Sequence, residues 1–204
     1  MGLNEDLGRR LRALRAEQNL SLSELSRRSR VGKGTLSELE GGLRNPTLET
    51  LYALATALGQ PLSAVISDPA PEGGPGSHAP LPGVSGTAVT ATLLERHEDA
   101  AAVTDVFRVI IRAGATQESA AHVPGTGESL MVLTGTAVVG PPHDTRTVGP
   151  GDSVQWRADV PHVYSAPDAD VHGILFVRYP TAARRGTGSG PRRARPESGP
   201  AGQV

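Results

Sequence analysis

Leucines recur at every third or fourth position through the first 66 residues, and beyond residue 87 the repeat shortens towards two. Leu3, Leu7, Leu11 and Leu14 mark one face of a helix over residues 3–18, with Arg9, Arg10, Arg12 and Arg15 mostly on its other side. Ser21 and Glu24 have the spacing of a capping box, so a second helix is expected from about Leu22 to Ser29. Gly32 can open a third helix, and Gly41-Gly42 can close it with a left-handed cap. Thr47 can cap a fourth helix with the apolar face Leu48, Leu51, Leu54, Ala55 and Leu58, ended by Gly59. Residues 61–66 make a short fifth. The placing of Leu22, Leu25, Val31, Leu36 and Leu39 lets the second and third helices share one small core, and residues 1–66 are expected to form an all-α domain.

Residues 87–94, 104–112, 130–133, 136–139, 153–157 and 171–179 are rich in Val, Ile and Thr and mostly bounded by Gly, Pro or Asp. Short strands at such intervals predict a β-sandwich or barrel over residues 87–180. Residues 67–86 are Pro- and Gly-rich and read as an extended, mobile linker. Residues 181–204 hold too few apolar side chains to order themselves and read as a disordered basic tail.

Composition narrows the chemistry. The 204 residues include no cysteine, which excludes disulfides, thiolate metal sites and a cysteine nucleophile. Aromatics are 3%, so the cores must be built from Leu, Val and Ala. The charged start and the lack of any apolar run of about 18 residues point to a soluble, cytoplasmic chain with no membrane partner. The net charge of −1 conceals an asymmetry. Residues 1–67 carry nine Lys/Arg against seven Asp/Glu, residues 87–180 six against eleven, and the tail five against one. No phosphate-binding Gly loop, nucleophile elbow or HExxH pattern is present.

The third helix is the most telling segment. It presents Lys33, Gly34, Thr35, Ser37 and Glu38 outward, a polar strip of low bulk suited to lying in the major groove of DNA. The run V-G-K-G-T-L-S-E-L-E-G-G-L-R-N-P-T-L and the helices around it resemble the Xre-like helix-turn-helix domain of Cro/repressor type. The resemblance implies that Lys33, Thr35, Ser37 and Glu38 lie at or near base edges and that Gly34 allows close backbone approach. It places Arg44 and Asn45 at phosphates. The chain departs from that family at Arg30, where a turn glycine is usual, and at Leu22, where glutamine is common. Such domains pair on DNA, with recognition helices roughly 34 Å apart. The expected state is a homodimer on an inverted repeat in double-stranded DNA.

In the β region, the blocks G-A-T-Q-E-S-A-A-H-V-P-G-T-G-E and G-D-S-V-Q-W-R-A-D-V-P-H-V-Y-S-A resemble the two motifs of the cupin jelly-roll barrel. Glu128 and Gly135 have the separation of the first motif, and Gly151 and His162 that of the second. The resemblance implies a ligand cavity or divalent-metal site at His122, Glu128 and His162. Pro124 stands in the place of a further histidine ligand, Ala166 in that of asparagine and Arg157 in that of proline. Trp156 and Tyr164 could line the same mouth or belong to the core. The fold class is therefore a five-helix helix-turn-helix domain plus an all-β cupin barrel. The expected function is non-enzymatic, namely sequence-specific transcription regulation in which the barrel senses a small-molecule effector and pairs two copies. With a Pro/Gly linker, control by dimerisation or by docking of the acidic barrel on the basic reader suits the chain better than stiff coupling. The alternatives are a metal-dependent cupin enzyme with a DNA-binding appendage, or the antitoxin of a toxin pair.

Overall fold

A computed structural model describes residues 3–67 and 83–181. Most of the linker and all of the basic tail beyond Thr181 lie outside the described residues. Five helices come first: α1 (Leu3–Glu17), α2 (Leu22–Ser29), α3 (Lys33–Glu40), α4 (Leu48–Ala57) and α5 (Leu62–Ile66). Leu11, Leu25, Leu36, Leu39, Leu51, Leu54 and Leu62 are almost wholly buried, with Leu22 and Val31 packed at the margin of this core.

Their ends follow local rules, with one correction. Ser21 Oγ accepts the Glu24 amide at 3.1 Å, but the Glu24 carboxylate does not complete the box. It turns instead to Arg27 and Arg28, at 2.7 and 2.8 Å, and hydrogen bonds from both pull its pKa down to about 2. Two guanidiniums one turn along outcompete a backbone amide. At the end of α3, Gly42 adopts φ +70° while the Leu43 amide reaches Glu38 O and the Gly42 amide Leu39 O, a Schellman cap. Arg30 adopts φ 59°, so the turn between α2 and α3 keeps its left-handed residue although that residue is not glycine.

One feature of the helical core was not legible in the leucine pattern. Glu40, at the end of α3, is buried and takes two hydrogen bonds from Arg15 of α1, at 2.6 and 2.8 Å. Arg15 also bonds Leu20 O, so one guanidinium ties the end of α1 to α3 and to the turn before α2.

The second half is a jelly roll of two antiparallel sheets. Strands β1 (Gly83–Ser85), β2 (Val89–Glu98), β3 (Ala102–Ile111), β10 (Val171–Pro180), β5 (Gly127–Thr134) and β8 (Ser153–Arg157) form one sheet in that order. Strands β4 (Thr116–Ser119), β9 (His162–Ser165), β6 (Ala137–Gly140) and β7 (Arg146–Val148) form the other. The six expected strands are all present. Those that hydropathy missed, β1, β4, β7 and β9, are three or four residues long, too short to show a period. Strand β1 also lies inside the stretch expected as linker.

The helices sit directly on the jelly roll. The Ser63 amide of α5 donates to the buried Asp105 carboxylate of β3 at 3.0 Å, and Arg96 of β2 donates to Ser63 Oγ at 3.2 Å. The Leu62 amide reaches the Tyr179 hydroxyl of β10 at 3.4 Å. Glu49 of α4 accepts the Thr87 amide at 2.6 Å. The contact uses backbone amides, the buried Asp105 carboxylate and the half-buried Glu49 carboxylate, and the arginine that joins it, Arg96 of the jelly roll, meets a neutral hydroxyl.

Candidate functional site

On α3, Lys33, Gly34, Ser37 and Glu38 are exposed and Thr35 is half-buried, while Leu36 and Leu39 point into the core. An eight-residue helix with both of its large apolar side chains turned inward leaves a polar outer face. In the loop that follows, Arg44 and Asn45 are exposed, and Arg44 pairs with Glu38 at 3.1 Å. Two of the expected contact residues thus hold each other in the free chain. The pair is solvated on both sides and easily exchanged for a phosphate. The contacts with the jelly roll come from α4 and α5, so this face stays open.

The second constellation is assembled from three places in the jelly roll. His122 lies in the loop after β4, Glu128 on β5, and His162 opens β9. They are 4%, 3% and 1% exposed, and one ligating atom from each lies within 4.8 Å of the others. His122 Nε2 is 3.0 Å from Glu128 Oε1, and Tyr164 donates its hydroxyl proton to Glu128 Oε2. His162 Nδ1 donates to Val160 O at 2.9 Å, which leaves the lone pair on Nε2. That nitrogen faces Glu128 Oε2 at 3.4 Å without a hydrogen bond.

The electrostatics sharpen this contact. Burial would raise Glu128, but the hydrogen bond from His122 and the neighbouring His162 and His122 outweigh it, and the carboxyl sits below its ordinary value. Burial lowers His162, against the pull of Glu128, which favours neutral imidazole. With its Nδ1–H committed to Val160, neutral His162 turns the Nε2 lone pair towards the Glu128 carboxylate in a buried site. His122 Nδ1 is likewise buried without a hydrogen-bond partner. An unpartnered His162 nitrogen beside the Glu128 carboxylate, with His122 Nε2 on the other carboxylate oxygen, is a donor set that fits a divalent cation. Pro124, in the place of a further histidine, is exposed.

The surroundings are aromatic. Trp156 and Tyr164 pack edge-on at 5.8 Å, and Tyr164 stands 5.6 Å from His162. Residue Tyr52, on α4 of the helical half, was not singled out by sequence: its ring stacks on His122 at 4.2 Å and 15°. No local pattern could have flagged it, because its partner lies 70 positions away in the other half. Between α2, α4 and the β4 loop runs a cleft of about 680 Å³, lined by Arg28, Arg30, Glu49 and Tyr52 of the helical half and by Glu118 and His122 of the jelly roll. His97, His143 and His172 are exposed, and His97 pairs with Glu95. His78 lies outside the described residues.

Comparison with known proteins agrees with this architecture. Residues 11–65 match the helix-turn-helix family HTH_3. The HTH-type transcriptional regulator SutR of Escherichia coli is 30% identical over 182 residues, covering 83% of this chain and 93% of SutR. The transcriptional regulator ClgR of Mycobacterium tuberculosis is 44% identical over 66 residues, 32% of this chain and 59% of ClgR. A crystal structure of an HTH_3 family transcriptional regulator from Vibrio cholerae has the same fold, with a TM-score of 0.71 at 22% identity, over 88% of this chain and 98% of that one. No helix among the described residues is long and apolar enough to cross a membrane. The chain belongs to the helix-turn-helix transcriptional regulators.

Proposed function

We propose that this regulator reads DNA with α3 and that its jelly roll senses a small effector at His122, Glu128 and His162. The observation that carries the DNA reading is the open outer face of α3, free of the contacts that seat α4 and α5 on the jelly roll. In this reading Lys33, Thr35, Ser37 and Glu38 meet base edges, Gly34 lets the backbone close in, and Arg44 leaves Glu38 for a phosphate beside Asn45. The chain acts in the cytoplasm, without catalysis of its own.

A divalent ion held by His122, Glu128 and His162 would supply a positive centre with open positions for an oxygen-bearing effector. The 3.4 Å approach of His162 Nε2 to Glu128 Oε2 favours this over a plain polar lining. Pairing of two copies falls to the outer face of the larger sheet. Leu94, Met131, Leu133 and Phe176 are exposed there, on β2, β5 and β10. An apolar band on a soluble domain is a natural interface, and a two-fold dimer would set the α3 helices on an inverted repeat.

The test is capture of genomic DNA fragments by the purified full chain, followed by binding titrations on the recovered site. Lys33→Ala should weaken binding at that site while leaving the fold intact. Equal affinity of wild type and variant would remove α3 from the interface. Phe176→Glu should convert the dimer to a monomer in light scattering, and a persistent dimer would move the interface elsewhere.

A further inference from the structure

The histidine–glutamate cluster is sealed in the jelly roll, and the helical half supplies part of the seal. Tyr52 lies flat on His122 at 4.2 Å, close to van der Waals contact, so nothing fits between the two rings. Tyr52 of α4 and His122 both line the cleft between the halves, with their rings in contact at its wall. The ring is tied to the seating of the helices. The Tyr52 hydroxyl lies near that of Tyr179, which takes the Leu62 amide at the start of α5. The next residue, Ser63, is held by Asp105. One connected set of contacts runs from the buried carboxylate of Glu128, through His122 and Tyr52, to the point where α5 rests on β3 and β10.

We propose that Tyr52 is a gate: the His122–Glu128–His162 cluster exchanges its ligand only when the Tyr52 ring leaves the His122 face. The proposal rests on the sensing role of the cluster given above and adds how it reaches the reader. Loading or emptying the cluster breaks the stack, and with it loosens the Tyr179 and Asp105 contacts that hold α4 and α5 on the jelly roll. Ligand exchange and the seating of the DNA reader are then one equilibrium. Whatever shifts the seating, DNA included, must shift ligand affinity by the same factor.

The gate is tested without any ligand by the reactivity of His122 towards diethyl pyrocarbonate, read by peptide mass spectrometry on the full chain. Exposed His97, His143 and His172 serve as internal standards. His122 should be protected in wild type and react at least tenfold faster in Tyr52→Ala. It should stay protected in Tyr52→Phe, which keeps the stacked ring. Asp105→Ala, which leaves Tyr52 in place but removes the acceptor under α5, should also expose His122, and it serves if Tyr52→Ala does not fold. Unchanged His122 reactivity in Tyr52→Ala and Asp105→Ala overturns the gate. A second readout uses Co²⁺ and the fluorescence of Trp156, the chain's single tryptophan, 6.3 Å from the His162 ring. Quenching that is slow in wild type and fast in Tyr52→Ala supports the gate. If Co²⁺ binds neither protein while the His122 protection pattern holds, the gate stands and the metal reading of the cluster falls.

Discussion

The helical half has two working sides built on opposite principles. On the side presented to solvent, α3 offers small polar groups and the Glu38–Arg44 ion pair, whose partners are both about half exposed. On the side against the jelly roll, α4 and α5 offer an aromatic ring, backbone amides and a carboxylate, each matched to one partner: Tyr52 to His122, Ser63 to Asp105, Glu49 to Thr87. Contacts in water are weak and interchangeable, which suits the surface proposed to trade them for DNA. Contacts that are largely buried are costly to leave unmade, which suits a surface that holds one seating and leaves it only when the cluster opens. The two carboxylates of α3 show the same division two residues apart. Glu38 is solvated and available, whereas Glu40 is buried and committed to Arg15.

That contrast can be broken most decisively at Glu40. Replacing Arg15 by Ala leaves a buried carboxylate with its main partner gone, and should cost roughly 3–5 kcal/mol in urea unfolding. Glu38→Gln should move the same transition by less than about 0.5 kcal/mol. Comparable losses would mean that Glu38 is as structural as Glu40. At the open face the effect should appear in binding instead. Lys33→Ala should lose about 1–3 kcal/mol of affinity on the captured site, with the unfolding midpoint unchanged.

At the seated face, pH separates the two sides. Burial raises Asp105, partly offset by its bonds to Ser63 and by Arg96. Above the ordinary carboxylate value the unfolded chain has lost this proton while the folded chain still holds it. Stability should therefore fall as pH rises through the window up to the raised folded value, and then level off. Asp105→Asn should remove that slope, as followed by urea midpoints from pH 4 upward. The smallest effect belongs to the turn between α2 and α3. Arg30→Gly relieves a left-handed residue and should stabilise by about 1 kcal/mol in the same assay.

The helical half could be read almost residue by residue because helices are local. Capping by Ser21 and Thr47, termination at Gly42 and Gly59, and the leucine stripes all act within one or two turns, where sequence neighbours are spatial neighbours. Local reading failed where two local offers competed: Glu24 had the spacing of a capping box, but Arg27 and Arg28 were stronger partners. In the jelly roll, long strands announced themselves and those of three or four residues did not. His122, Glu128 and His162 could be nominated through a family resemblance, yet nothing in their spacing could say that they converge within 4.8 Å.

By itself, then, the sequence determined the element order, the outward strip of α3, the division into a helical and a β half, and the residue types available for chemistry. Those follow from periodicity and capping, which reach only a few residues along the chain. Tertiary structure alone decided that Arg15 meets Glu40, that an unpartnered imidazole nitrogen of His162 faces the Glu128 carboxylate, and that Tyr52 of the helical half covers His122 of the jelly roll. Each joins groups between 25 and 70 positions apart, and only the packing of whole helices and sheets brings such groups together.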